Sequence, residues 1–144
     1  MRNDLKQVTK LLLEKQDIQV IYDIGANNGD WTKENIQNFP GSQFFMFEGN
    51  PLQKTPELPY RFFNILLSDK DGREVLFHSL EANRHTGDSY YKEKTIFYST
   101  SHETFRLESR SLDSFITEHK IPLPDLIKID TQGSEVDIFK GAQK

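Results

Sequence analysis

The chain contains no cysteine. That absence removes disulfides, thiolate metal ligands and thiol nucleophiles together. Long apolar runs are missing as well, and nothing approaches the roughly 18 residues of a membrane span. Residues 1–15 carry charges throughout and lack the apolar stretch of a secretory signal. Positive charge is not in excess: 18 Lys and Arg stand against 22 Asp and Glu, a formal net charge of −4. Bulk electrostatic binding to nucleic acid or to an anionic membrane is disfavoured, and neither is expected as a partner. The default expectation is a soluble cytoplasmic domain. Internal repeats and low-complexity tracts are absent too. What remains is a chain of 144 residues, 35% hydrophobic and 28% charged. That suits one globular domain able to bury roughly 68–70% of its unfolded surface.

Periodicity divides the chain into short elements. Residues 4–15 place Leu5, Val8, Leu11 and Leu12 near a 3.6-residue period, an amphipathic N-terminal helix. Residues 19–24 (QVIYDI), 43–48 (QFFMFE), 60–67 (YRFFNILL) and 125–130 (DLIKID) read as buried strands. Helices are expected at 31–39, stopped by Pro40-Gly41, at 112–119 with Ser111 as N-cap, and at 134–140 with Gly141 closing it. Asp71-Gly72 predicts a tight turn from which residues 74–78 return as a β-hairpin. Residues 79–103 are polar and predict a long loop, a candidate lid over an acceptor site. The order of strands and helices predicts an α/β fold with a mostly parallel sheet covered on both faces. A parallel strand at 125–130 would lie at an edge. The chain is therefore expected to be the N-terminal part of a longer domain.

Three strands end in an acid followed by a turn. Asp23 leads into Gly25-Ala26-Asn27-Asn28-Gly29, a glycine-bearing loop that opens a helix. Glycines let a ligand approach the backbone, and free N–H groups favour a polar or negative group. The loop is neither the G-x-G-x-x-G of dinucleotide-binding folds nor a P-loop. An acidic strand end beside free N–H groups suits a ligand with an ammonium and a carboxylate, though an unliganded strand–helix turn has the same look. Glu48 ends the next strand roughly 20 residues on, where ribose-binding carboxylates sit in such folds. Its removal is expected to weaken cofactor binding and spare the fold. Asp69, after Ser68, suits either an adenine amine or the first position of a turn. Asp130 ends the strand at 125–130, and alternation puts Lys128 on the same face, able to pair with a nearby acid. Glu135 favours a first helical turn whatever its function.

Together these segments resemble the FkbM family of S-adenosylmethionine-dependent methyltransferases, over about residues 20–142. The resemblance rests on the run from Asp23 through Gly29 to Thr32, on Phe47-Glu48-Gly49-Asn50-Pro51, and on Leu67-Ser68-Asp69 with Asp71-Gly72. It rests further on Ser111-Leu112-Asp113-Ser114-Phe115 and on the run from Lys128 to Glu135 followed by Lys140-Gly141-Ala142. It implies a Rossmann-like three-layer fold, S-adenosylmethionine as cofactor, and O-methylation of a hydroxyl on a sugar or natural product. It also implies that Asp23, Gly25, Asn27, Gly29 and Thr32 surround the methionine end, Glu48 the ribose, and Ser68 with Asp69 the adenine side. Relatives continue with further strands beyond Gly141-Ala142.

The acceptor hydroxyl needs a general base. Asp130 is the first candidate and Glu135 the second; His85 and His102 rank third. Tyr90, Tyr91, Phe97 and Tyr98 are candidates to line an acceptor pocket or to pack the loop onto the sheet. No acidic cluster has metal-ligand spacing, and no metal is expected. Two other classes stay open: an NAD(P)-linked oxidoreductase, and a truncated non-catalytic cofactor-binding module that folds as a homo-oligomer without an acceptor site.

Overall fold

The computed structural model describes residues 7–8, 11, 17–80 and 102–144. Residues 7, 8 and 11 are helical; the rest of the expected N-terminal helix, most of the long loop and its aromatic pairs lie outside the described residues.

Four parallel strands form the central sheet: β1 (Val20–Ile24), β2 (Gln43–Glu48), β3 (Arg61–Asn64) and β8 (Leu126–Ile129), in the order β3-β2-β1-β8. Registers are continuous, with Ile24 beside Phe47 and Ile129, and Glu48 beside Asn64. β1 and β2 are apolar almost throughout because both of their faces are covered. Alternation sends Tyr22, Ile24, Phe45 and Phe47 to one face, where Leu112, Phe115, Ile116 and Ile138 pack against them. Ile21 and Phe44 face the other way, against Ile18, Phe39 and Trp31. Two core layers on either side of one sheet give the Rossmann-like arrangement. Helix α1 (Asp30–Asn35) runs into a single 3₁₀ turn, α2 (Leu112–Glu118) is capped by the Ser111 hydroxyl, and α3 (Glu135–Lys140) closes at Gly141.

The order fixes where a ligand can sit. The chain moves from β1 through β2 to β3, then returns to place β8 on the opposite side of β1. Loops leaving β1 and β8 therefore diverge, and the crevice beyond the strands' carboxyl ends is the binding position in sheets of this kind.

Two expectations need correction. The single strand read at 60–67 is two elements, β3 and β4 (Leu67–Ser68), and β4 leaves the main sheet to pair in parallel with β7 (Arg110–Ser111). The break falls where the Asn64 amide donates to the carbonyls of Glu48 and Asn50 and the Ile65 N–H bonds the Glu48 carbonyl, turning the chain across β2. The second concerns the hairpin. Residues 74–78 do not fold back on the strand before the turn; β5 (Glu74–Leu80) pairs antiparallel with β6 (His102–Glu108). Asp71 serves a tertiary purpose instead. Its carboxylate accepts from the Ser111 N–H and the Ser114 hydroxyl, both at 2.6 Å, fastening the turn to the start of α2.

Candidate active site

A cavity of about 240 Å³ opens at the carboxyl ends of β1, β2 and β8. From β8 across to β2 it is lined by Lys128 and Asp130, then Gly25 to Asn28, then Glu48 and Gly49, with Ile65, Leu66, Leu67 and Phe77 beyond them.

The glycine loop is sewn to the neighbouring strand. The N–H groups of Gly25 and Ala26 both donate to the Phe47 carbonyl, at 2.9 and 3.0 Å. Gly25 has φ +73, and a Cβ there would lie 1.9 Å from the Asp130 carbonyl oxygen. Only glycine lets the β1 loop pass this close to β8. One residue further, the Asn27 N–H donates to Glu48 Oε2 at 2.8 Å, and Glu48 Oε1 accepts from the Asn50 N–H at 2.8 Å. The glycine loop and the acid that ends β2 thus meet in one place. Glu48 is only 8% exposed, so the two N–H bonds stabilise a buried carboxylate.

Asp23 does not face the cavity as an open acceptor. It is fully buried, its Oδ2 accepting from the Thr32 hydroxyl at 2.8 Å and its Oδ1 from Lys128 Nζ at 2.9 Å. The register placing Lys128 beside Asp23 in adjacent strands explains the pair. Lys128 also donates to the Gly25 carbonyl at 3.2 Å, and Nζ lies 5.9 Å from the centre of the Trp31 ring. Asp23 and Thr32 hold the loop from beneath. Gly29 likewise faces away: a Cβ on it would touch Pro56 and Leu58.

Ser68 and Asp69 also lie off the cavity. Ser68 is buried and accepts from Arg73 at 2.6 Å, and Arg73 pairs with Asp69 at 3.2 Å. The turn-forming reading of Asp69 prevails, because the Arg73 guanidinium draws it back over its own turn. The apolar neighbours Leu66, Leu67 and Phe77 take the place expected of the two polar residues.

Glu135 is committed elsewhere as well. Its carboxylate accepts from the N–H groups of Thr131 and Gly133 at 3.0 and 2.9 Å. Burial pushes its proton affinity up, but backbone N–H bonds from Glu135, Gly133 and Thr131 outweigh it and hold the carboxyl below its usual range. That makes it a poor proton acceptor and a good brace. It pins a turn in which Gln132 (φ 55) and Gly133 (φ 106) are both left-handed. Asp130 remains exposed at the rim, its Oδ1 accepting from the Gln132 amide at 3.3 Å. The site thus brings together Gly25, Asn27, Glu48 and Asp130 and adds Lys128. Alternation along β8 signalled that lysine's pairing; nothing in the pattern signalled that it reaches the cavity.

A glycine loop bonded to a strand-end carboxylate at the carboxyl ends of a mostly parallel sheet places the chain in the Rossmann-like fold class. The match to known proteins is narrower. The methyltransferase FkbM domain covers residues 23–144, and the chain belongs to that family. It is similar to 2-O-methyltransferase NoeI of Sinorhizobium fredii, 31% identical across 92% of this chain and 60% of that protein. It is also similar to hexuronic acid methyltransferase AglP of Haloferax volcanii, 24% identical across 98% of this chain and 57% of that protein. The chain therefore spans about three-fifths of the length of these curated relatives. No solved structure matches it. Among the described residues, no helix is long and apolar enough to cross a membrane.

Proposed function

We propose that this chain binds S-adenosylmethionine and serves methyl transfer to a hydroxyl of a sugar. The observation that carries the reading is the bond between the Asn27 N–H and Glu48, which joins the glycine loop and the strand-end acid in one cavity. The residues present fit the cofactor. With no side chain at Gly25, the loop packs directly against the Asp130 backbone and its own main chain forms the cavity wall. Glu48, fixed at the cavity wall by the Asn27 and Asn50 N–H groups, is the acid placed to face the ribose hydroxyls. Ile65, Leu66, Leu67 and Phe77 make an apolar slot beside it for a flat base. The names of the two relatives supply the acceptor class, since both act as methyltransferases and one is named for hexuronic acid.

When bound, S-adenosylmethionine supplies a methyl on a sulfonium, a leaving group that needs no activation. The protein's task is then mostly alignment, on the order of 7–11 kcal/mol at best. Asp130, exposed at the rim, accepts the proton of the acceptor hydroxyl as oxygen takes the methyl, a role that contributes 10²–10⁴-fold where it operates. Glu135 holds the turn that carries Gln132 beside Asp130. The oxidoreductase alternative is not favoured, because the chain belongs to a methyltransferase family.

Isothermal calorimetry of the chain with S-adenosylhomocysteine and with NAD tests the reading. Saturable binding of the former and none of the latter is expected. Binding of NAD alone, or of neither, overturns it.

A further inference from the structure

Lys128 carries a charge that the function above leaves unused. We propose that it is the carboxylate anchor of the cavity: its ammonium receives a carboxylate carried by the ligand, first of all that of the cofactor's amino-acid end. The inference rests on the cofactor reading.

An incoming ammonium would seek an acidic oxygen beside a strand-end carbonyl, and Asp23 Oδ1 with the Gly25 carbonyl is that seat. The chain's own ammonium already fills it, at 2.9 and 3.2 Å. The other oxygen of Asp23 belongs to Thr32, and the residue has no exposed surface. Lys128 cannot leave without stranding a fully buried carboxylate, which is strongly unfavourable. The Trp31 ring, 5.9 Å away, adds a further contact that holds the ammonium in place.

A lysine held this way presents its remaining face to the ligand. Two of its three N–H donors are taken by Asp23 and Gly25. One-fifth of the side chain is exposed, and the residue lines the cavity. A ligand ammonium approaching there meets a like charge; a ligand carboxylate meets an opposite one and a free donor. An amino-acid end therefore enters with its carboxylate toward β8. An acidic acceptor sugar carries the same group and is the other possible source.

Calorimetry on the intact chain separates these. The probes are S-adenosylhomocysteine, 5′-methylthioadenosine, which keeps the adenosine and lacks the amino-acid end, and glucuronate. The variants are Lys128→Met and the double variant Asp23→Asn/Lys128→Met, which removes both charges in case the single change strands Asp23. We expect S-adenosylhomocysteine to bind at least tenfold more weakly to the folded variants while methylthioadenosine stays within twofold. Unchanged binding of both nucleosides with loss of glucuronate binding also supports the anchor and assigns its carboxylate to the acceptor. Parallel losses for both nucleosides, or no change with any probe, overturn it. Absence of nucleoside binding to the wild type overturns the cofactor reading instead, and the glucuronate arm alone then decides the anchor.

Discussion

Replacing Glu48 with alanine, expected from the sequence to spare the fold, should instead injure the fold and the binding site together. Its carboxylate accepts two backbone N–H bonds, from Asn27 and Asn50, each at 2.8 Å. A hydrogen bond to a charged acceptor is worth about 1.5–3 kcal/mol. Asn50 has no exposed surface, so its N–H would lose its partner with no water to replace it, whereas Asn27 is half-buried and regains part of the loss from solvent. The net cost is about 2–4 kcal/mol of stability, or a melting point lowered by on the order of 10 °C for a domain of this size. Glu48→Gln should fall between, since an amide oxygen keeps one N–H while its NH₂ group faces the other. Affinity for S-adenosylhomocysteine, measured well below the melting range, should drop about a hundredfold, because two ribose hydroxyls lose an ionised acceptor worth about 3 kcal/mol in all. Thermal melts and calorimetry on the three proteins decide the matter. An alanine variant that melts within about 2 °C of wild type would refute the bracing role, and unaltered affinity would refute the ribose role.

Three further outcomes follow from the same geometry. Gly25→Ala should abolish stable folding, with a cost above about 3 kcal/mol, because its Cβ would overlap the Asp130 backbone; Gly41→Ala, also left-handed but with nothing within 4 Å, should cost about 1 kcal/mol, as denaturant titrations of the two would show. Glu135 has its folded-state proton affinity depressed, so the unfolded chain binds more protons in acid, and its stabilisation, complete at neutral pH, is lost as pH falls from about 5 through the folded value. Urea unfolding from pH 7 to pH 3 should give a flatter stability profile for Glu135→Gln than for wild type; parallel profiles would contradict the brace. Asp130→Asn should lower methyl transfer to a sugar acceptor by 10²–10⁴-fold and leave S-adenosylhomocysteine affinity within twofold; equal losses would make Asp130 a cofactor ligand.

Much of this arrangement was legible beforehand, for reasons that particular residues make plain. β1, β2 and β8 are short apolar runs that end at an acid and a turn, and both faces of the inner two are covered, so composition alone marks them. The departures all come from side chains acting across the chain. Asn64 bends the third strand by bonding two carbonyls of another segment. Asp71, a turn former by type, is held by Ser111 and Ser114 some forty residues away, and β5 finds its partner beyond a long insertion. At the site, the spacing of Gly25, Asn27, Glu48 and Asp130 located the cavity. An acid at a strand end such as Asp23 looks open in sequence; only the register, which sets Lys128 beside it, shows that it is paired. Glu135 illustrates the reverse: its helix-start reading, which needs no ligand, explains its contacts in full.

The claim on which the rest depends is that the turn after β1 and the end of β2 receive one adenosyl ligand. Two-dimensional NMR of the ¹⁵N-labelled chain titrated with S-adenosylhomocysteine tests it residue by residue. The largest amide shifts should fall on Gly25, Ala26, Asn27, Gly49 and Asp130, all at the carboxyl ends of the sheet. Shifts gathered instead at Gln19, Gln43 and Asp125, at the opposite ends of the same strands, or no shifts at saturating ligand, would contradict it.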